Sequence, residues 1–201
     1  MGAPAWTADI EFVGRHVRLE PLRLAHAGEL AEAAADGELW NLAFTSVPHR
    51  DDMRRYVIDA LDAREGGAAM PFVVRDASGT IIGCTRYYDL APEVPRLQIG
   101  YTWYARRVQR TLLNTEAKRL LFAHAFEYLG CAAVGFETSH LNLRSQAAIL
   151  RLGATFDGRR RAHMRHRDGS LRDTLVYSVI AEEWPMVRAR LDGFLAGDRD
   201  D

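Results

Sequence analysis

Hydrophobic residues recur along this chain at two spacings, one typical of helices and the other typical of strands. Within residues 51–65 the apolar side chains stand at 53, 56, 57, 60 and 61, which would place them on one face of a helix. Later, two short β-branched and aromatic runs flank the turn sequence Asp-Ala-Ser-Gly, which predicts a hairpin. In the same way, the chain predicts helices at 23–35, 51–65, 112–128, 142–152 and 182–195, and strands at 12–20, 71–75, 80–89, 96–104, 133–138, 156–166 and 171–180.

The order of these elements predicts a mixed α/β (α+β) fold with a mostly antiparallel sheet. The helix at 112–128 should connect its two flanking strands by a right-handed crossover and so make one parallel pair. Ligands of such sheets bind where the strand order changes. We expect a single domain over residues 1–201, with a core at about 12–181 and a C-terminal helix and tail at 182–201.

The composition argues against several classes of protein. A net charge of −1 is unlike that of a general nucleic-acid binder, which carries a basic excess. No apolar run reaches the length of a membrane span, and residues 1–9 lack the features of a signal peptide. The two cysteines, Cys84 and Cys131, suggest a reduced, cytoplasmic protein without disulfides. We therefore expect no metal ion, nucleic acid or membrane as a partner.

The most informative stretch runs from Trp103 to Gly130, where an aromatic strand end leads through an arginine-rich loop into a long amphipathic helix. The first turn of a helix presents unpaired N–H groups, and the helix dipole adds about half a positive charge there. Arg106, Arg107 and Arg110 place full charges beside it. The stretch therefore predicts a phosphate-bearing ligand held by backbone amides.

Three motifs, in this order along the chain, resemble those of the GCN5-related N-acetyltransferase (GNAT) family. Residues 99–103 read Ile-Gly-Tyr-Thr-Trp, like the central strand of the family. Residues 109–117 read Gln-Arg-Thr-Leu-Leu-Asn-Thr-Glu-Ala, where the family has its acetyl-CoA pyrophosphate loop, and Asn142-x-x-Ser145 precedes Leu-Gly-Ala. The most similar branch contains the Rim-type ribosomal-protein N-terminal acetyltransferases. The resemblance extends from about Val13 to Ile180 and implies acetyl-CoA as cosubstrate.

The resemblance also implies which residues hold the coenzyme. The strand end would bind the pantetheine arm through its backbone, and the loop would bind the pyrophosphate. Asn142 would contact the pantetheine arm, cap its own helix, or do both. The residues expected at the coenzyme are Tyr101, Thr102, Trp103, Arg107, Gln109, Arg110, Thr111, Leu112, Leu113, Asn114, Thr115, Asn142 and Arg144.

Three residues are candidates for catalysis, each with a structural alternative. Ser145 would place a hydroxyl near the leaving sulfur, or only help to cap its helix. Glu137 and His140 lie at the end of a predicted buried strand, and either would act as a general base, directly or through water. The alternative for both is an ion pair or hydrogen bond at the surface.

Five positions depart from the pattern of the family, among them Arg110, where the branch often has a glycine, and Asn114, at the second small position of the loop. Gln98 stands where a carboxylate often precedes the central motif, and Leu150 falls near the tyrosine that many members use as a general acid. Leu112 occupies the position of a loop glycine, so the loop requires a negative φ at Leu112.

The acceptor is expected to be a primary amine, either a protein N-terminal α-amine or a small-molecule amine, and the resemblance is compatible with a homodimer. The pocket for the acceptor amine would be lined by Trp40, Phe44 and Tyr87, with core packing as the alternative for each. The basic hairpin at 159–167 would be a solvated face, a subunit contact or a site for an acidic substrate. Two other functions stay open: a non-catalytic acyl-CoA-binding or regulatory protein on the same fold, and an interaction module that uses the basic hairpin.

Overall fold

The computed structural model describes residues 6–41 and 44–197 and contains an eight-stranded sheet flanked by helices. The strands are β1 (Phe12–Val13), β2 (Val17–Pro21), β3 (Ala69–Asp76), β4 (Ile81–Ala91), β5 (Arg96–Tyr104), β6 (Ala133–Ser139), β7 (Thr155–Arg165) and β8 (Leu171–Ile180). The α-helices are α1 (Ala27–Ala35), α2 (Met53–Glu65), α3 (Leu113–Ala123), α4 (Leu143–Leu152) and α5 (Trp184–Ala196). Short 3-10 turns lie at Leu24–His26, Leu39–Asn41, Arg50–Asp52 and Arg106–Val108, and a π-helical turn at His124–Tyr128 continues α3.

The strand order of the sheet is β1-β2-β3-β4-β5-β6-β8-β7, and β5 and β6 run parallel. The other pairings among the described strands are antiparallel, which confirms the predicted mixed fold. The parallel pair joins only from Arg96↔Ala133 to Gln98↔Gly135. Beyond these positions β5 stays with β4 and β6 stays with β8, so the two strands diverge.

A bulge in β5 accompanies this divergence. Tyr101 and Thr102 of β5 both lie opposite Thr85 of β4. The φ of Tyr101 is 51°, in the left-handed region that glycine enters without strain and a tyrosine does not. Bulges are frequent next to active sites, where they redirect side chains. The bulge therefore marks the end of β5 as a place to look for function.

The side chains of β4 separate two faces of the sheet. Cys84 and Arg86 point toward α2, where the Cys84 Sγ lies 3.3 Å from the Tyr56 hydroxyl. Tyr87 points the other way, and its hydroxyl donates to the carbonyl of Leu121 in α3 at 2.7 Å. Because alternate residues of a strand point to opposite sides, these contacts define an α2 face and an α3 face.

A buried carboxylate fixes α3 against the N-terminal hairpin. Glu116 accepts hydrogen bonds from the backbone N–H groups of Arg15, His16 and Val17 at 2.8, 2.6 and 3.1 Å. A Cβ atom at Gly14 would lie 2.4 Å from the carboxylate, so only glycine fits there. These hydrogen bonds hold α3, the helix after the arginine-rich loop, to the edge of the sheet formed by β1 and β2.

Most predicted element boundaries differ from the structure by one or two residues, and the larger differences are in the elements that follow. Residues 12–20 form two strands rather than one, because the turn between β1 and β2 wraps around the Glu116 carboxylate. The predicted helix at 23–35 begins as a 3-10 turn, and the one at 112–128 changes to π-helical geometry at His124. In the described part of the chain no helix is long and apolar enough to cross a membrane.

Candidate active site

The arginine-rich loop connects the end of β5 to α3 and is closed by side chains that the sequence pointed to. The Gln109 amide donates to the carbonyl of Tyr104 at 2.8 Å and accepts from the Arg144 guanidinium at 2.7 Å. The Thr111 hydroxyl donates to the carbonyl of Val108 at 2.8 Å. Gln109 thus joins β5, the loop and α4 in one arrangement.

The backbone torsions of this loop allow a side chain at Leu112, where the family has a glycine. Leu112 has φ −71° and ψ −10°, so a side chain is accommodated at that position without strain. Arg110 instead has φ 66° and is the loop residue in the left-handed region. The position that favours glycine therefore lies two residues earlier than Leu112.

Several amide groups at this helix start are available to a ligand. Among residues 6–41 and 44–197, no hydrogen-bond acceptor pairs with the N–H groups of Arg110, Thr111, Leu112 or Asn114. The Leu113 N–H has only a long bond, 3.4 Å, to the Thr111 hydroxyl. Unpaired amides at the start of an eleven-residue helix, next to an exposed arginine, fit a pyrophosphate.

The arginines of the loop have different surroundings. The Arg107 guanidinium pairs with the Asp36 carboxylate at 3.0 Å, and the backbone N–H of Arg107 donates to the same carboxylate at 3.3 Å. Asp36 also accepts the N–H of Arg106 through its backbone carbonyl at 3.0 Å. Arg107 therefore joins the loop to the end of α1, which leaves Arg110 as the better placed cation for a phosphate.

The strand end exposes its backbone more than its side chains. Trp103 and Tyr104 are buried. Thr102 shares its hydroxyl with Thr85 at 2.7 Å, and Tyr101 is 42% exposed. Leu113 and Thr115, also expected at the coenzyme, are buried in the first turn of α3, where only their backbone could reach a ligand.

Lys118 is a residue that the sequence analysis missed. It lies on α3, is only 4% exposed, and donates to the hydroxyls of Thr102 at 2.9 Å and Thr85 at 3.4 Å. Burial lowers the pKa of its ammonium group to about 7. A helical wheel would have placed this lysine beside Ala117 and Leu121 on the buried side of α3, which is the signal that identifies it.

The start of α4 shows that Asn142 acts as an N-cap. Its side-chain oxygen accepts from the backbone N–H of Ser145 at 3.1 Å. Capping occupies the oxygen of the amide and leaves its NH₂ group for a ligand, so the two expected roles are compatible. Ser145 lies half-buried in the first turn, and Leu150 is exposed on α4 without a group that could donate a proton.

The two candidate bases are engaged in other contacts. The Glu137 carboxylate pairs with Arg160 and accepts from the Gln98 amide at 3.3 Å. The Nδ1 atom of His140 lies 3.2 Å from the backbone nitrogen of Asp173 and 3.3 Å from its carbonyl oxygen, so it accepts from the one or donates to the other according to the tautomer. Both residues thus make the contacts of the structural alternative, and Glu137 does so through an ion pair.

A cavity of about 590 Å³ opens on the α2 face. Its walls include Trp40, His49 and Tyr56, and Arg167 from the turn between β7 and β8 closes one side. Of the other two predicted acceptor residues, Tyr87 is fully buried in the core and Phe44 does not line the cavity. The described residues contain no cluster of three or more potential metal ligands.

Comparisons with known proteins agree with this geometry. Residues 16–155, more than half of the chain, match the Acetyltransferase (GNAT) domain family. The crystal structure of a "putative acetyltransferase" from T. thermophilus is similar with a TM-score of 0.80 and 35% identity, covering 92% of this chain and 96% of that one. A GCN5-related N-acetyltransferase from Brucella melitensis gives a TM-score of 0.82 and 29% identity over 94% of this chain and 89% of its own.

One relative bears on the branch of the family. The "Putative ribosomal N-acetyltransferase YdaF" of Bacillus subtilis (strain 168) is 30% identical over 112 residues. The match spans 53% of this chain and 57% of that relative, little more than half of its length. Its ribosomal name agrees with the predicted Rim-like branch. From its matched domain, its diverging strands and its amide-lined helix start, we conclude that this chain belongs to the GNAT family of acetyltransferases.

Proposed function

We propose that the chain is an acetyl-CoA-dependent N-acetyltransferase that acts on a primary amine, either a protein N-terminal α-amine or a small-molecule amine. The observation that carries this proposal is the row of amides from Arg110 to Asn114, of which only that of Leu113 has a partner among the described residues, beside the divergence of β5 and β6. These groups suit a pyrophosphate at the loop and a pantetheine arm between the strands.

In this proposal the chain binds and orients rather than reacts covalently. The loop amides and Arg110 would hold the pyrophosphate, and the backbone of 101–103 with the Asn142 NH₂ group would hold the pantetheine arm. The coenzyme supplies an activated acetyl thioester when bound. Positioning an amine against a thioester supplies a large part of such a rate enhancement, and backbone donors at the end of β5 would stabilise the oxyanion.

The ion pair between Glu137 and Arg160 favours an amine that needs little help from a base. An α-amine has a pKa of about 7.7–8.0, whereas a lysine side chain has a pKa of about 10.4. Near pH 7 a substantial fraction of an α-amine is already neutral, so it could react without a strong base. A protein N-terminus or another low-pKa amine is therefore the favoured acceptor, and the ribosomal name of the YdaF relative points the same way.

The proposal is tested by titrating the purified chain with acetyl-CoA in a calorimeter and by measuring CoA release with a panel of amines. We expect saturable binding and amine-dependent release. Arg110→Glu should weaken acetyl-CoA binding by at least about tenfold, because it places an anion beside the phosphates. Arg161→Glu is the matched control, since it makes the same change on the exposed strand β7 and should leave binding intact.

Other outcomes would support the alternatives. Binding without turnover across a broad panel would favour a non-catalytic acyl-CoA-binding protein. Absence of binding, together with a macromolecular partner that is lost on Arg160→Glu, would favour an interaction module. The cytoplasmic location and a homodimer stay predictions, tested by fractionation and by sedimentation.

A further inference from the structure

Two arginines near the bulge of β5 lack the anionic partners that buried guanidinium groups normally have. Arg86 on β4 is 7% exposed, and it has no hydrogen bond and no ion pair with any of residues 6–41 and 44–197. Arg172 on β8 is half-buried, and its Nε is fully enclosed without an acceptor. A buried charge is costly unless it is paired, so a ligand is the natural source of the missing acceptors.

Aromatic rings fix the position of Arg86 but do not supply hydrogen-bond acceptors for its guanidinium group. Its Cζ lies 4.0 Å from the centre of the Tyr101 ring and 5.2 Å from that of Tyr56. Stacking on a ring uses the flat face of a guanidinium and leaves its five in-plane N–H donors free. The arrangement holds the fork in a fixed orientation, which suits a bidentate acceptor such as a carboxylate.

The two arginines lie on the same side of the diverging strands. Arg86 contacts Tyr101 directly, and the Tyr101 ring packs edge-on against Tyr88 at 5.3 Å. Burial lowers the pKa of the Arg172 guanidinium, and Tyr88 and Tyr101 lie near enough to oppose this shift. The α2 face of the bulge is therefore bordered by two cations.

This cationic border is continuous with the cavity on the α2 face. Tyr56 lines the cavity and is also one of the rings against Arg86. The cavity has carboxylates at its exposed rim, where Arg55 pairs with Asp59 at 2.7 Å and Asp52 lies nearby. Acid groups are thus found at the entrance, and unpaired guanidinium groups beside the bulge.

Nearby carboxylates do not neutralise the pair. Glu137 is bound by Arg160 and Gln98, and Asp89 is bound by Arg96 at 2.6 Å. The immediate surroundings of the bulge on the α2 face therefore keep a positive excess.

We infer that Arg86 and Arg172 bind a carboxylate of the acceptor, so that the amine substrate of this enzyme also carries an acid group. The inference rests on the proposed N-acetyltransferase function and narrows its substrate class. The carboxylate has two sources, the α-carboxylate of an amino acid or the acidic side chain of a peptide near its N-terminus.

Matched acceptors test the inference on the unmodified chain. One arm compares free amino acids with their amides, and the other compares short peptides that carry Asp or Glu at the second position with the Asn or Gln equivalents. We expect kcat/KM to favour the acid member by about 100-fold in one of the two arms, as for loss of a partner from a buried charge pair. The responding arm identifies the source, and equal rates within both arms would overturn the inference while leaving acetyl transfer in place.

Variants assign the preference to the arginines. Arg86→Gln and Arg172→Gln should each reduce the preference to less than about tenfold, mainly through KM, because a neutral amide binds a carboxylate weakly. Arg86→Lys should restore part of it, and Arg190→Gln, at an exposed position of α5, should leave it unchanged. Acetyl-CoA affinity, measured by calorimetry, should stay constant in all four variants. An undiminished preference in folded Arg86→Gln and Arg172→Gln would contradict the assignment, and no CoA release with any amine would overturn the inference together with the proposed function.

Discussion

The two faces of the sheet at β4 accommodate buried cations in different ways. On the α3 face, Lys118 donates to two threonine hydroxyls, and burial lowers the pKa of its ammonium to about 7. On the α2 face, Arg86 lies between two tyrosine rings and has no ion pair with any of the described residues. The ammonium on the α3 face can thus lose its proton near pH 7, whereas guanidinium groups in general stay protonated. The difference teaches that the charge available to a ligand depends on the kind of cation as much as on its burial.

The largest effect on the two faces is expected if α3 is released from the N-terminal hairpin, because the α3 face would then lose its fixed helix. Glu116→Ala removes the acceptor of three backbone N–H groups, and we expect it to lower the free energy of unfolding by about 3 kcal/mol. Urea denaturation measures this loss. Glu182→Ala, at an exposed position, is the control, and equal stabilities of the two variants would contradict the role of the buried carboxylate.

Lys118→Met sharpens the contrast between a cation that can be neutralised and one that cannot. The folded pKa of about 7 lies below the unfolded value of about 10.4, so the unfolded chain binds the extra proton between these pH values. The stability of the unmodified chain should therefore gain about 1.4 kcal/mol per pH unit from this group as the pH rises above 7. Below pH 7 its contribution should be constant, and always unfavourable.

Methionine removes this dependence, so the variant should be the more stable protein near pH 7. Denaturant midpoints at pH 6, 7, 8 and 8.5 for both proteins provide the measurement, and their difference isolates the lysine. If the midpoints of the two proteins differed by the same amount at all four pH values, the Lys118 amine would not be buried in its charged form.

At the loop, the substitutions Arg110→Gly and Arg110→Ala separate the effect of the backbone conformation from the effect of the charge. Both variants remove the same guanidinium and should weaken acetyl-CoA binding to a similar extent. Because Arg110 has φ 66°, Arg110→Gly should be more stable than Arg110→Ala by about 1 kcal/mol. Thermal unfolding and calorimetry measure the two effects. A binding difference larger than the stability difference would mean that the loop changes shape.

The smallest effect is expected at Glu137. Its carboxylate is already bound by Arg160 and Gln98, so Glu137→Gln should reduce kcat by less than about tenfold, whereas loss of a general base costs about 100-fold to 10,000-fold. The pH profile of kcat should keep its acidic limb. Disappearance of that limb in the variant would restore Glu137 as the base.

Local patterns predicted the elements of this fold well, because each long helix and strand carries its own periodicity. The motif order also indicated the loop before α3, where Gln109 and Arg144, both expected at the coenzyme, contact each other. The backbone torsion at Tyr101 could not be read in this way, since a tyrosine does not signal a positive φ. At Arg110 the signal was the glycine that the family branch often has there.

Long-range pairing set a second limit to prediction. Arg107 faces Asp36, seventy-one positions away, and Glu116 binds a turn about a hundred positions earlier. Such contacts depend on how the sheet and helices assemble, and the sequence around either partner does not specify them. Lys118 was the avoidable omission, because its helical spacing already put it on the buried side.

The contact between Gly14 and Glu116 has a consequence for how relatives of this chain can vary. A Cβ at position 14 would collide with the carboxylate, and a shorter acid at position 116 would draw back from the turn it binds. The two positions are therefore under one joint constraint, although about a hundred residues separate them in the chain. Across an alignment they should change together or not at all, and natural sequences that lose the glycine should also have lost the glutamate.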